Sequence, residues 1–301
     1  MSSGTALAYV YDGTFDGLLT AVFCAYERRE APYVIALEDN LQCVFGQEVA
    51  FIETDSEKAA RVERGLSRKA GEEAHQNVWT AFLSNDMQRE TKIYRYIRLA
   101  MAQGRRVLGM AAHDDVLALN RILTRVRGET QHMLGFVRFS AMEGGIYYAK
   151  FSPDHNQIPL LMPHFADRFG SQPFLLHDAR RSLVGVYDTR EWYLTRTGTL
   201  HLPDLEADEL AFRRMWKRFY DTIAIGERIN PRCQAGHMPR RYWRDMPEHD
   251  ARNDLAAADA PTTVHAAQPN EHGITSSDAR ESLCMPALRA KLAIGDKGDK
   301  T

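Results

Sequence analysis

The chain has 301 residues, of which 44% are hydrophobic and 26% charged, with 38 Lys and Arg against 40 Asp and Glu. That composition excludes collagen-like, disulfide-scaffold and wholly disordered chains. The formal charge of −2 leaves any nucleic-acid role to rest on how charge is distributed. The length fits one large or two ordinary domains. Cys24, Cys43, Cys233 and Cys284 form no Cys-x-x-Cys pair, which argues against a zinc ribbon or a Cys-ligated iron–sulfur cluster. The start lacks the basic and apolar regions of a signal peptide, and no apolar run approaches the roughly 20 residues that span a bilayer. A cytoplasmic protein is expected.

Residues 7–11 pattern as a buried strand, Asp12-Gly13-Thr14 as a turn with an N-cap, and Phe15, Leu18, Leu19, Val22 and Phe23 follow at helical spacing. Residues 33–37 and 49–53 are short strand candidates, and 57–131 read as a block of several helices. Residues 135–139 and 146–150 flank Gly144-Gly145, and tandem glycines supply the positive φ of a hairpin turn. A helix fits 158–169, and three further strands fit 174–177, 183–187 and 191–195. In the last and clearest predicted helix, Phe212, Met215, Trp216, Phe219 and Ile223 form an apolar stripe that burial would fix, forcing cations on the other faces into solvent. That helix is expected to run to the Asn230-Pro231 boundary. The pattern favours an α+β fold: an antiparallel or mixed sheet, a helical block and a long C-terminal helix. One domain is expected over residues 1–250, with the helical block at 57–131, the sheet region at 132–200 and a basic helical region at 204–249. After Trp243 there is no aromatic residue, and residues 251–301 are expected to be a dispensable disordered tail.

No Gly-x-Gly-x-x-Gly, Walker, Gly-x-Ser-x-Gly or His-Glu-x-x-His motif is present. Three constellations remain. Asp12, Gly13, Thr14 and Asp16 lie where a strand runs into a helix N-terminus, a place that suits a phosphate, a metal or simple capping. His164 and the pair His177 and Asp178 could supply a general acid–base couple if they meet in one cleft. Glu129 and His132 have the Glu-x-x-His spacing of di-iron bundles, but one copy does not make that site. Third, between residues 211 and 244 nine cations stand against two acids, a local charge of +7. Arg213, Arg214, Lys217, Arg218, Arg228, Arg232, Arg240 and Arg241, interleaved with Trp216, Tyr242 and Trp243, form either a phosphate-binding surface with stacking platforms or a solvated basic face.

The stretch of residues 11–19 with Asp12-Gly13-Thr14, the 135–139 and 146–149 segments, His164 to Phe169, His177-Asp178 with Arg180-Arg181, and Met238-Pro-Arg-Arg-Tyr-Trp243 together resemble a bacterial family labelled "probable DNA metabolism protein". The likeness covers about residues 7–249. It implies a stand-alone DNA metabolism or repair accessory protein that binds DNA. Its partner would be a radical SAM DNA modification/repair protein, and a uracil-DNA glycosylase-type domain is the family's other associate. The lack of a Cys-x3-Cys-x2-Cys cluster leaves radical chemistry to the radical SAM partner, and no cofactor of the chain's own is expected. Two other readings stay open: an enzyme acting on a nucleotide or damaged base through His164, His177 and Asp178, and a subunit that binds only a protein partner.

Overall fold

The computed structural model describes residues 7–41, 48–196, 202–223 and 230–249. The chain is mixed α and β, in keeping with the α+β expectation, and divides into two compact units. Arg228 and the 251–301 tail lie outside the described residues.

The first unit takes in Met1–Thr130 and Asp154–Asn156. Strand β1 (Leu7–Tyr11) is the middle of a three-stranded parallel sheet, between β2 (Val34–Leu37) and β3 (Glu48–Phe51). A central parallel strand is covered on both faces, which is why 7–11 read as an unbroken apolar run. Helix α1 (Phe15–Glu27) connects β1 to β2, and α2 (Ser56–Ala70), α3 (Glu72–Phe82) and α4 (Arg89–Gln103) follow, with Leu66, Ala74, Val78, Ile93 and Ile97 fully buried. Gly71, at φ 95°, ends α2 and starts α3 in a conformation open to glycine. Helix α5 (Asp114–Phe136) is the longest described and passes from the first unit into the second.

The second unit is built on a five-stranded sheet: β4 (Ser140–Met142), β5 (Ile146–Phe151), β6 (Phe174–Asp178), β7 (Leu183–Tyr187) and β8 (Trp192–Arg196), in that order. The hairpin between β4 and β5 turns on Gly144 and Gly145, at φ 90° and 71°. Its first strand begins at Ser140; residues 135–136, expected in that strand, complete α5, whose Met133 is fully buried, and Phe139 packs against Phe165, Phe169 and Phe174. Helix α6 (Ile158–Phe169) makes a crossover, so β5 and β6 are parallel, while the remaining pairs are antiparallel. Strand alternation sorts the sheet into two faces. Phe174, Leu176, Ala149 and Phe151 pack with Leu161, Met162 and Phe165 of α6, whereas Leu175, Val184, Val186 and Ile146 form a separate cluster on the opposite face.

The long C-terminal helix is not borne out. Helix α7 is Glu209–Ile223, and a separate helix α8 spans Pro231–His237, started by Asn230, whose side chain accepts from the Cys233 N–H, and by a proline in its first turn. Two short 3₁₀ turns, Arg240–Asp245 and Pro247–His249, bring the chain back into the unit, with Tyr242 and Glu248 buried.

Burial of the α7 stripe also fails. Leu210, Phe212, Met215, Trp216 and Phe219 are all exposed, at 41–60%. The side that faces the sheet is polar: the buried Glu209 carboxylate accepts from the Ala141 N–H (3.0 Å), and Arg213 donates to Glu209 (2.8 Å) and to the Ser140 hydroxyl (2.6 Å). Charge-assisted bonds between partly desolvated groups, about 1.5–3 kcal/mol each, set the rotation of α7 and turn the apolar stripe away from the core.

Candidate functional site

Asp12 sits just past the end of β1, where the parallel sheet delivers the chain to α1. Its Oδ1 accepts from the Thr14 N–H (2.9 Å) and hydroxyl (2.7 Å), its Oδ2 from the Thr54 hydroxyl (2.8 Å), and Thr14 in turn accepts from the Gly17 N–H (2.9 Å). Burial pushes the Asp12 carboxyl up, but these donors outweigh it and hold the group below its usual value. A Cβ on Gly13, at φ 84°, would come within 2.9 Å of Leu37, and one on Gly17 within 2.3 Å of the Asp12 carboxylate. Asp16 is exposed, and its carbonyl accepts from Thr20. The turn is thus a helix cap cross-tied to the loop after β3, with Asp12 engaged on both oxygens.

The three acid–base candidates do not meet. His164 is exposed on α6, which covers the Phe174–Leu176 face of the sheet. His177 lies on the opposite face, where its Nδ1 is 2.8 Å from the Tyr148 hydroxyl and its β-sheet partners are Lys150 and Val184. Asp178 points back to the α6 side and is fully buried; it accepts from the Arg180 N–H (2.9 Å), the Arg181 N–H (3.2 Å) and the Arg181 guanidinium (2.8 Å). Successive strand residues face opposite ways, so His177 and Asp178, adjacent in sequence, cannot share one cleft from the same strand. Asp178 anchors the β6–β7 turn.

What the structure brings together instead is Tyr148 with His177, a pair of groups that can both give and take a proton. Burial, then the neighbouring Asp245 carboxylate, pushes the Tyr148 hydroxyl up to about 12. Burial, then Lys150, holds the His177 imidazole below its ordinary value, with Asp178 and Asp245 opposing. The sequence signal for this pair was only the alternation of β5 and β6, and finding it requires their register. Glu129, buried, accepts from the N–H groups of Asp154 (2.7 Å) and His155 (2.8 Å), while His132 is exposed and stacks on Phe136. Among the described residues no group of three His, Cys, Asp or Glu is placed to hold a metal.

A family model described as "Domain of unknown function (DUF4130)" matches residues 87–248. The chain belongs to the DUF4130 family. No curated protein matches it. The DUF4130 stretch contains Tyr148, His177 and the whole described basic region, and excludes the Asp12 turn.

Within that region the cations divide. Arg213 is tied to Glu209 and Ser140, and Arg214 donates to the Leu210 carbonyl (3.2 Å). Lys217 is half-buried, whereas Arg218, Arg232, Arg240, Arg241 and Arg244 are exposed. Two expected stacking platforms are corrected: Tyr242 is a core residue packed with Met133 and Phe151, and Trp243 is stacked on His249 at 4.3 Å with its indole N–H donating to the Met238 carbonyl. Arg241 lies over the Tyr242 ring at 4.6 Å and Arg240 over the Trp243 ring at 5.6 Å, an arrangement that orients their guanidiniums. Among the described residues no helix is long and apolar enough to cross a membrane.

Proposed function

We propose that this DUF4130 protein is a DNA metabolism and repair accessory factor. It binds nucleic acid through phosphate contacts of the arginines in residues 214–244 and works beside a radical SAM or uracil-DNA glycosylase-type enzyme. One observation carries the reading. In a chain of almost balanced charge, Arg218, Arg232, Arg240, Arg241 and Arg244 are exposed within 27 residues of one another along the sequence, and two of them are set over aromatic rings. Exposed guanidiniums contribute little to folding and suit bidentate phosphate contacts. Because Tyr242 and Trp243 are committed elsewhere, the contacts are to backbone phosphate, which positions a protein without reading sequence. The partner class comes from the family resemblance.

Fluorescence anisotropy with single-stranded and duplex DNA over a salt series tests the proposal. Three or four phosphate contacts give a slope of log affinity against log salt of roughly −2 to −4. Replacing Arg218, Arg232 and Arg240 together with Gln flattens that slope by about 2. Absence of salt-dependent binding, or an unchanged slope in the triple variant, rejects it.

A further inference from the structure

The exposed stripe of α7 borders a groove of about 670 Å³ whose walls include Phe139, Phe212, Met215, Trp216, Phe219 and Pro247. Exposed apolar residues clustered this densely mark a binding surface. The charged groups lining the groove are already neutralised in place: Arg138 donates from Nη2 (2.7 Å) and Nε (3.1 Å) to one oxygen, Oε1, of the buried Glu248, and Arg213 is bound to Glu209. Arg138 also covers the Trp216 ring at 5.4 Å. The surface therefore offers apolar contact and no open charge for a phosphate, which separates it from the exposed arginines invoked above.

We propose that this groove is the seat of residues 283–294 of the same chain. Pro247 forms part of the wall, and the described chain ends two residues later at His249, with 52 residues of sequence still to follow. Residues 250–282 contain only Leu255, Val264 and Ile274 as large aliphatic residues, each isolated. Residues 283–294 then concentrate Leu283, Cys284, Met285, Leu288, Leu292 and Ile294. Leu288 and Leu292 are spaced i, i+4, the spacing of helix-in-groove anchors, and Pro286 stands two residues before the first of them, where a helix start tolerates it. The intervening 33 residues would span about 30 Å as a coil, a tether that raises the effective concentration of the segment at the groove toward the millimolar range.

Hydrogen exchange of the full chain, read by mass spectrometry, tests this against a Leu288→Asp, Leu292→Asp variant, which leaves the groove residues unchanged and whose β6 exchange serves as the control for folding. Amides in 283–294 should exchange about tenfold or more slowly than those in 255–275, and the variant should speed exchange in both 283–294 and 212–219 by a similar factor. Exchange in 283–294 as fast as in 255–275, or no change at 212–219 in the variant, overturns the proposal. Protection at 212–219 that grows with protein concentration and survives the variant also overturns it, and assigns the groove to a second copy.

Discussion

Asp178 distinguishes a turn anchor from a catalytic acid. Its carboxylate is fully buried and accepts two backbone N–H groups and one guanidinium N–H. In Asp178→Ala each N–H loses about 1 kcal/mol of net hydrogen bonding, and the charge-assisted bond about 1.5–3 kcal/mol. Arg181 retains 26% side-chain exposure and rehydrates in part, so the lower end of that range applies and the total is about 3–4 kcal/mol. For a unit of this size 1 kcal/mol moves Tm by about 2–4 °C, so the alanine variant should melt roughly 6–16 °C lower. Asp178→Asn keeps a carbonyl that accepts from the turn and loses only the anion, costing about 1–2 kcal/mol. Urea denaturation followed by circular dichroism gives both values. If the alanine variant lies within 1 kcal/mol of the natural protein, or if Asn destabilises as much as Ala, the turn-anchor account is wrong.

Two further outcomes follow from the second unit. Gly185 faces α6 on β7, where an added Cβ would stand 2.5 Å from Met162 Sδ and 2.8 Å from Ile158; Gly185→Val should cost about 1–3 kcal/mol by overpacking, and a variant as stable as the parent in urea would show that α6 shifts freely. His177 is held below its ordinary value in the folded state, so below about 6.5 the unfolded chain binds more protons and stability falls as pH drops from 7 toward the lowered value. Burial holds His249 down in the same way, so His177→Gln should flatten, without abolishing, the decline of Tm between pH 7 and 5; an unchanged slope would refute the role given to His177.

Local signals made much of this fold legible. The α6 span, the β6 and β7 strands and the Gly144–Gly145 turn are set by periodicity and backbone freedom over a few residues, which a sequence displays directly. The parallel pairing of β5 with β6 and of β1 with both neighbours depends on crossovers, which carry no local mark. The α7 stripe failed for a different reason. Periodicity says which side chains gain from burial, not which neighbour is present to bury them, and here Glu209 and Arg213 secured the sheet-facing side. For the candidate site, the basic residues were visible as composition, whereas the Tyr148–His177 contact exists only once two strands are registered. His164 and His177 looked like a pair because both stand beside acidic and arginine residues, yet a sheet lies between them.

The borders of the DUF4130 match and the borders of folding do not coincide. The match opens at Met87, two residues ahead of α4, yet α4 is stitched backward to the preceding chain. The Thr91 hydroxyl accepts from the Ile35 N–H at 3.1 Å, and the Tyr11 hydroxyl donates to the buried Glu90 at 3.2 Å. Ile93, Tyr96 and Ile97 are at most 2% exposed. A fragment excised at residue 87 would lay this face of α4 open to water and leave Glu90 and Thr91 without these two partners. In this chain the residues before Met87 therefore supply the cover of α4, and they act as a structural prerequisite of the matched region rather than an appendage to it.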